Sequence, residues 1–71
     1  MSVSKKVRTF LEENNLIQKE IARRADIPYP AFNAMMTGRR KMHAEDLCAI
    51  CYALNVKPEV FIETKIMQEA G

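Results

Sequence analysis

Short amphipathic segments follow one another along the chain, and each is followed by a residue type that ends helices. Apolar side chains recur at spacings of three and four residues, which is the period of a helix with one buried face. The clearest such stripe consists of Leu47, Ile50, Cys51 and Leu54. The alternating apolar and polar pattern that predicts a half-buried strand does not occur. The sequence therefore predicts an all-α fold, a compact bundle of about five short helices.

The apolar stripes place these helices at about residues 4–13, 18–24, 30–37, 44–54 and 58–69. Ser4 is positioned to cap the first helix and Tyr29 the third, because a residue before proline favours extended geometry. The third and fifth helices begin with Pro30 and Pro58, since proline has a fixed φ and lacks an N–H that the first turn leaves unpaired. The residues expected to end the helices are Asn14, Asn15, Asp26, Gly38 and Asn55.

Charge is distributed unevenly along the 71 residues, which we interpret as one domain spanning residues 1–71. Residues 1–41 contain nine Lys and Arg against four Asp and Glu, whereas residues 42–71 contain two against five. The formal net charge is only +2, so the asymmetry is more informative than the total. It is what a polyanion-binding face would produce, but chance clustering on a solvated surface explains the charge pattern equally well.

Cysteine, histidine and hydropathy patterns argue against several other classes of protein. Cys48 and Cys51 share one face of the predicted fourth helix, so we expect reduced cysteines in the core and no structural disulfide. With His43 they make too few ligands for structural zinc, and no catalytic arrangement has supporting context. We therefore expect no metal, no cofactor and no enzymatic activity. The N-terminus lacks the apolar core of a signal peptide and no membrane span is evident, which favours a cytoplasmic protein.

The second and third predicted helices, separated by a tight turn, have the proportions of a helix-turn-helix motif at about residues 17–37. Three successive cations, Arg39, Arg40 and Lys41, follow the second helix of this motif. They complement the negative end of the helix dipole, which is a purely structural role. Because three cations exceed what capping requires, we favour contact with phosphates.

The segment LIQKEIARRADIPYPAFNAMMTGRRK, residues 16–41, resembles the phage-repressor/Cro type of helix-turn-helix domain, found in xenobiotic-response-element-type regulators. The positions that match are Leu16, Gln18, Ile21, Ala22, Ile27, Phe32 and Gly38. The segment LCAICYALNVKPEVFI, residues 47–62, is similar to the two helices that follow the motif in that family. The resemblance covers about residues 4–63 and implies a lambda-repressor-like DNA-binding domain.

The resemblance implies that the second helix of the motif enters the major groove of double-stranded DNA. The side chains implied to read bases are Tyr29, Ala31, Asn33, Ala34 and Thr37. Those implied to contact phosphates are Gln18, Lys19, Arg39, Arg40 and Lys41. Asn33 offers adenine a paired donor and acceptor, and the base-reading set contains no Arg or Lys. We therefore expect a readout that favours A·T pairs.

The resemblance further implies a prokaryotic or phage transcriptional regulator. We expect a repressor that binds a pseudo-palindromic operator as a homodimer. A candidate dimer surface lies on the predicted last helix and consists of Phe61, Ile62, Ile66 and Met67. Packing within the monomer explains these residues equally well.

Four departures from the family pattern keep a second hypothesis open. Asp26 stands at a usual Gly position, Pro28 and Pro30 at common Ser positions, and Met36 at a position that is often acidic. The two prolines at the start of the recognition helix, together with the acidic second half, suit a protein-interaction module. Such a module, antitoxin-like or antirepressor-like, would have weak or no specific DNA binding.

Overall fold

The computed structural model describes residues 2–62 of the chain. Its elements are α1 (Val3–Glu13), α2 (Gln18–Arg24), α3 (Tyr29–Met36), α4 (Ala44–Leu54) and a 3-10 helix (Pro58–Val60). This part of the chain contains no strand, so the predicted all-α fold is confirmed. Residues 2–62 contain four α-helices, where about five were predicted for the whole chain. None of the helices within residues 2–62 is long and apolar enough to cross a lipid bilayer.

One core is shared by all four α-helices and by Phe61, which follows the 3-10 helix. The buried apolar side chains are Val7, Leu11, Ile21, Ala22, Ala25, Phe32, Met35, Met36, Leu47, Ile50, Cys51 and Phe61. The short α2 lies against both α3 and α4, and α1 lies against α3. No polar or charged residue is buried among residues 2–62. The core therefore holds α3 by its apolar face alone and leaves its opposite face to solvent.

Two helix starts differ from prediction. Ser2, rather than Ser4, caps α1, because its side-chain oxygen accepts a hydrogen bond from the Lys5 N–H at 3.2 Å. Tyr29 is the first residue of α3 rather than its cap, and Pro28 takes the cap position in extended geometry. The Phe32 N–H donates to the Pro28 carbonyl at 2.9 Å, which starts the helix one residue earlier than the prolines suggest.

The helix ends follow the sequence closely, and all four share one hydrogen-bonded turn. The residues in the left-handed region are Asn15 (φ 56), Asp26 (φ 59), Gly38 (φ 81) and Asn55 (φ 60). In each case the next N–H reaches back five residues to a helix carbonyl, at distances of 2.8 to 3.0 Å. The bonds are Leu16 to Leu11, Ile27 to Ala22, Arg39 to Ala34 and Val56 to Cys51. The predicted helix-ending residues are therefore confirmed.

The predicted fifth α-helix is replaced within the described residues by the 3-10 turn Pro58–Val60. The Phe61 N–H donates to the Pro58 carbonyl at 2.9 Å, a three-residue bond that tightens the chain here. Phe61 is only 2% exposed, and its ring meets Phe10 edge to face with centroids 5.4 Å apart. The interior alternative given for Phe61 is therefore the one observed. Ile66 and Met67 lie outside the described residues.

Candidate nucleic-acid interface

The recognition face is the side of α3 that points away from the core. Phe32, Met35 and Met36 are buried on the inner side. Pro30 shares the outer face with Ala34 and Thr37, since the three residues are spaced by four and three positions. It was not among the residues predicted to read bases. Its exposure was readable from that spacing. The predicted readers are all at least partly accessible: Tyr29 is 41% exposed, Thr37 is exposed, and Ala31, Asn33 and Ala34 are half-buried.

A side-chain hydrogen bond joins the start of α2 to the middle of α3. The Asn33 Nδ2 group donates to Gln18 Oε1 at 3.4 Å, and both residues are half-buried. Gln18 was expected to contact a phosphate, and this hydrogen bond in addition braces α3 against α2. The bracing contact is present, whereas the phosphate contact stays a prediction.

The Arg39 side chain lies back over the exposed side of α3. Its Nη2 group donates to Asn33 Oδ1 at 3.3 Å, and its Nε group donates to Thr37 Oγ1 at 3.1 Å. Thr37 Oγ1 in turn donates to the carbonyls of Asn33 and Ala34, at 3.0 and 3.2 Å. The sequence did not indicate this arrangement. The one sequence feature from which it could have been inferred is Gly38. The turn at this residue reverses the chain and brings Arg39 alongside α3.

Arg40 and Lys41 continue the chain beyond this cluster and are exposed. Neither side chain has a hydrogen bond or ion pair with another side chain of residues 2–62. The Arg40 N–H donates to the Ala34 carbonyl at 3.1 Å, so the backbone of this basic segment is tied to the end of α3. The segment therefore presents positive charge from a defined position.

The cations at the end of α2 have a different environment. Arg23 Nε donates to Glu20 Oε2 at 3.2 Å, and Arg24 Nε lies 3.4 Å from Glu20 Oε1. The hydrogen bond from Arg23 holds the pKa of Glu20 below its ordinary value and raises the pKa of Arg23. One carboxylate thus offsets part of the charge of two arginines on α2.

The two cysteines differ in burial, contrary to the expectation that both lie in the core. Cys51 is buried, and this burial raises the pKa of its thiol. Cys48 is exposed because it lies beside the stripe formed by Leu47, Ile50 and Cys51 rather than within it. Both thiols are free.

An open apolar recess of about 400 Å³ lies between the starts of α2 and α3. Its lining residues are Ile17, Lys19, Glu20, Ala22, Arg23, Ile27 and Tyr29. Ile17, the residue before α2, is 69% exposed at this recess. Tyr29, the first residue of α3, also lines this recess. The apolar recess therefore adjoins the exposed face of α3.

A family model described as the Cro/C1-type helix-turn-helix DNA-binding domain matches residues 6–65, which is most of the chain. The matched family consists of DNA-binding domains and is not an enzyme family. No curated protein and no solved structure matches the sequence.

Proposed function

The chain belongs to the family of Cro/C1-type helix-turn-helix DNA-binding domains, and from this premise we propose that it is a sequence-specific transcriptional repressor. Two copies bind a pseudo-palindromic operator in the cytoplasm, each with α3 in the major groove. Repression is steric, because the bound pair occupies DNA that other proteins need.

One observation carries this proposal: the outer face of α3 continues into cations that have no carboxylate partner within residues 2–62. Asn33 and Thr37 supply polar groups on that face, and Ala31 and Ala34 supply small apolar ones. Such a surface suits base edges and thymine methyl groups. The side chains proposed to contact phosphates beside the outer face of α3 are Gln18, Lys19, Arg40 and Lys41.

Pairing of two copies is proposed because one short recognition helix reads few bases. A single small module buries limited surface on DNA, and two modules on half-sites about 34–36 Å apart combine their affinity. Val60 and Ile62 are 54% and 44% exposed, and they flank the buried Phe61. These two side chains support a contact between copies near the C-terminal end of the described chain.

Selection from a pool of random duplexes, followed by sequencing, tests the proposal. We expect an enriched inverted repeat, and an affinity that falls as salt rises, because bound cations release counterions. Removing one phosphate contact with Arg40→Ala should weaken binding to all sequences alike and reduce the salt slope by about 0.9.

Arg24→Ala is the matched control, since it removes the same charge from a residue paired with Glu20. Its salt slope should stay close to that of the wild-type protein. Equal slopes for Arg40→Ala and Arg24→Ala would contradict the placement of the interface. A wild-type selection that enriches no sequence would contradict specific DNA binding.

A second candidate function is binding of a protein partner, and the recess at Ile17 favours it. An exposed isoleucine beside an apolar recess is a common feature of protein-binding surfaces. This candidate gains support if the wild-type protein enriches no DNA sequence. Binding of the partner should then fall with Ile17→Ser and persist with Tyr52→Ser, which changes an exposed aromatic residue on α4.

A further inference from the structure

The guanidinium of Arg39 lies beside the middle of α3 rather than beyond its end. The Arg39 N–H bonds to the Ala34 carbonyl at 2.9 Å, which turns the chain back along the helix. The side chain then reaches Asn33, four residues before the helix cap at Thr37. Four residues of helix correspond to about 6 Å along the axis, so the charge is displaced toward the centre of the recognition face.

Two neighbouring donors hold this guanidinium in one orientation. Nε is bonded to Thr37 and Nη2 to Asn33, so one edge of the planar group is occupied by the protein. Arginine has five N–H donors in a rigid fork. The remaining edge, formed by Nη1 and the second N–H of Nη2, has no hydrogen-bond partner within residues 2–62. Two parallel donors on an exposed edge match the O6 and N7 acceptors of guanine in the major groove.

Capping of α3 does not explain the position of Arg39. A capping cation would donate to the last carbonyls of the helix. The Met36 carbonyl instead accepts a hydrogen bond from Arg8 Nη1 of α1, at 3.3 Å. Arg39 donates to side-chain oxygens of Thr37 and Asn33. Its orientation is therefore set by the recognition face rather than by the helix end.

A phosphate contact, the role predicted for Arg39 together with Arg40 and Lys41, needs positive charge but no fixed edge. Arg40 and Lys41 fit that role, because their side chains have no partner among residues 2–62. Arg39 differs from them in being held by two polar side chains. A guanidinium held in one plane is oriented to form two parallel hydrogen bonds with a target that has two acceptors in one plane.

We propose that Arg39 reads a guanine in the major groove and that Asn33 and Thr37 are positioning residues for it. This inference rests on the proposed function, in which α3 enters that groove. Because Asn33 uses Nδ2 on Gln18 and Oδ1 on Arg39, both ends of its amide are engaged. With Arg39 as a reader, each half-site contains a G·C pair, in addition to A·T pairs whose thymine methyl groups meet Ala31 and Ala34.

The test compares selected sequences for the wild-type protein, Arg39→Lys and Arg39→Ala. Lysine retains the charge but lacks the planar fork. We expect Arg39→Lys to lower the preference for guanine at one position of each half-site by about 10- to 100-fold. The other positions should keep their preferences. Thr37→Val removes the oxygen that accepts from Arg39 Nε, so it should weaken the same guanine position. The positions met by Ala31 and Ala34 should keep their preferences, which a general loss of structure would not allow. Arg24→Lys is the matched control, because Arg24 is paired with Glu20 on α2, outside the proposed interface. It should leave the selected sequence unchanged.

The possible outcomes separate this inference from the proposed function. An enriched repeat that is the same for the wild-type protein, Arg39→Lys and Arg39→Ala would overturn the guanine contact and leave the proposed function standing. So would a wild-type repeat without a G·C position. A wild-type selection with no enriched repeat would overturn both. Melting curves followed by circular dichroism verify that each variant is folded.

Discussion

The ends of α2 and α3 use the same backbone turn but place the following side chain in opposite environments. Asp26 and Gly38 are both in the left-handed region, with φ of 59 and 81. Each turn is closed by an N–H bond of 2.9 Å to a carbonyl five residues earlier, from Ile27 in one case and Arg39 in the other. The backbone alone therefore does not distinguish the two sites.

The side chains after these turns make the difference. Ile27 is half-buried and packs against the core. Arg39 is exposed and lies over the outer face of α3. A turn of this kind returns the next residue toward the helix it ends. An apolar residue there packs against the core, whereas a cation there stays exposed beside the helix.

The charges near the two turns differ in the same way. Arg23 and Arg24 precede the first turn, and both are paired with Glu20 on the same helix. Arg40 and Lys41 follow the second turn, where no carboxylate of residues 2–62 pairs with them. Pairing with Glu20 thus distinguishes Arg23 and Arg24 from Arg40 and Lys41.

The largest expected effect concerns the residue after each turn. Ile27→Ala should lower the free energy of unfolding by about 1–2 kcal/mol, because part of a packed side chain is lost. Arg39→Ala should change it by less than about 0.5 kcal/mol, since the side chain is exposed. DNA affinity should show the reverse order when it is measured on folded protein. Urea denaturation and DNA titration provide the two measurements.

Equal losses of stability for Ile27→Ala and Arg39→Ala would contradict the claim that, of these two, only the residue after the first turn contributes to the core. Val56→Ala offers a matched control, because Val56 follows the left-handed Asn55 and also packs against the core. It should resemble Ile27→Ala in stability and leave DNA binding unchanged.

The next effect concerns the turn residues themselves. A Cβ at Gly38 would meet no atom within 4 Å, so Gly38→Ala creates no clash. The left-handed backbone nevertheless costs an alanine about 1 kcal/mol, and stability should fall by that amount. Asp26→Gly removes a side chain from the equivalent position and should instead stabilise the protein slightly. Thermal unfolding of both variants checks the sign, and a loss of stability with Asp26→Gly would show that the Asp26 side chain contributes more than its backbone strain.

The sequence predicted the helix ends well because they depend on local chemistry. Asn15, Asp26, Gly38 and Asn55 tolerate or favour positive φ, and each lies within two residues of a helix end. The apolar stripe of α4 was equally readable, and its predicted range of 44–54 is confirmed. Such features need only neighbouring residues to be interpreted.

Features that depend on contacts between segments were predicted poorly. Phe61, placed on the predicted fifth helix as a candidate dimer contact, packs edge to face against Phe10 of α1, far away in the sequence. The orientation of Arg39 depends on Asn33 and Thr37, which are brought to it by the turn. The charge of Arg39 was visible in the sequence, whereas its hydrogen bonds were not, and its predicted phosphate contact stays a prediction. The roles of the predicted DNA contacts stay predictions.

The smallest expected effect tests the pairing of charges on α2. Because Arg23 hydrogen-bonds to Glu20, the pKa of the Glu20 carboxyl is lower in the folded chain than in the unfolded chain. The pair therefore stabilises the fold at pH values above the unfolded pKa, and this contribution is lost as the pH falls through the folded pKa. Carboxyl NMR titration should show the pKa of Glu20 rising in Arg23→Gln and rising less in Arg24→Gln. Lys41→Gln should leave it unchanged, because Lys41 lies after the second turn. A Glu20 pKa that does not respond to Arg23→Gln would mean that the α2 cations are as available to DNA as those that follow α3.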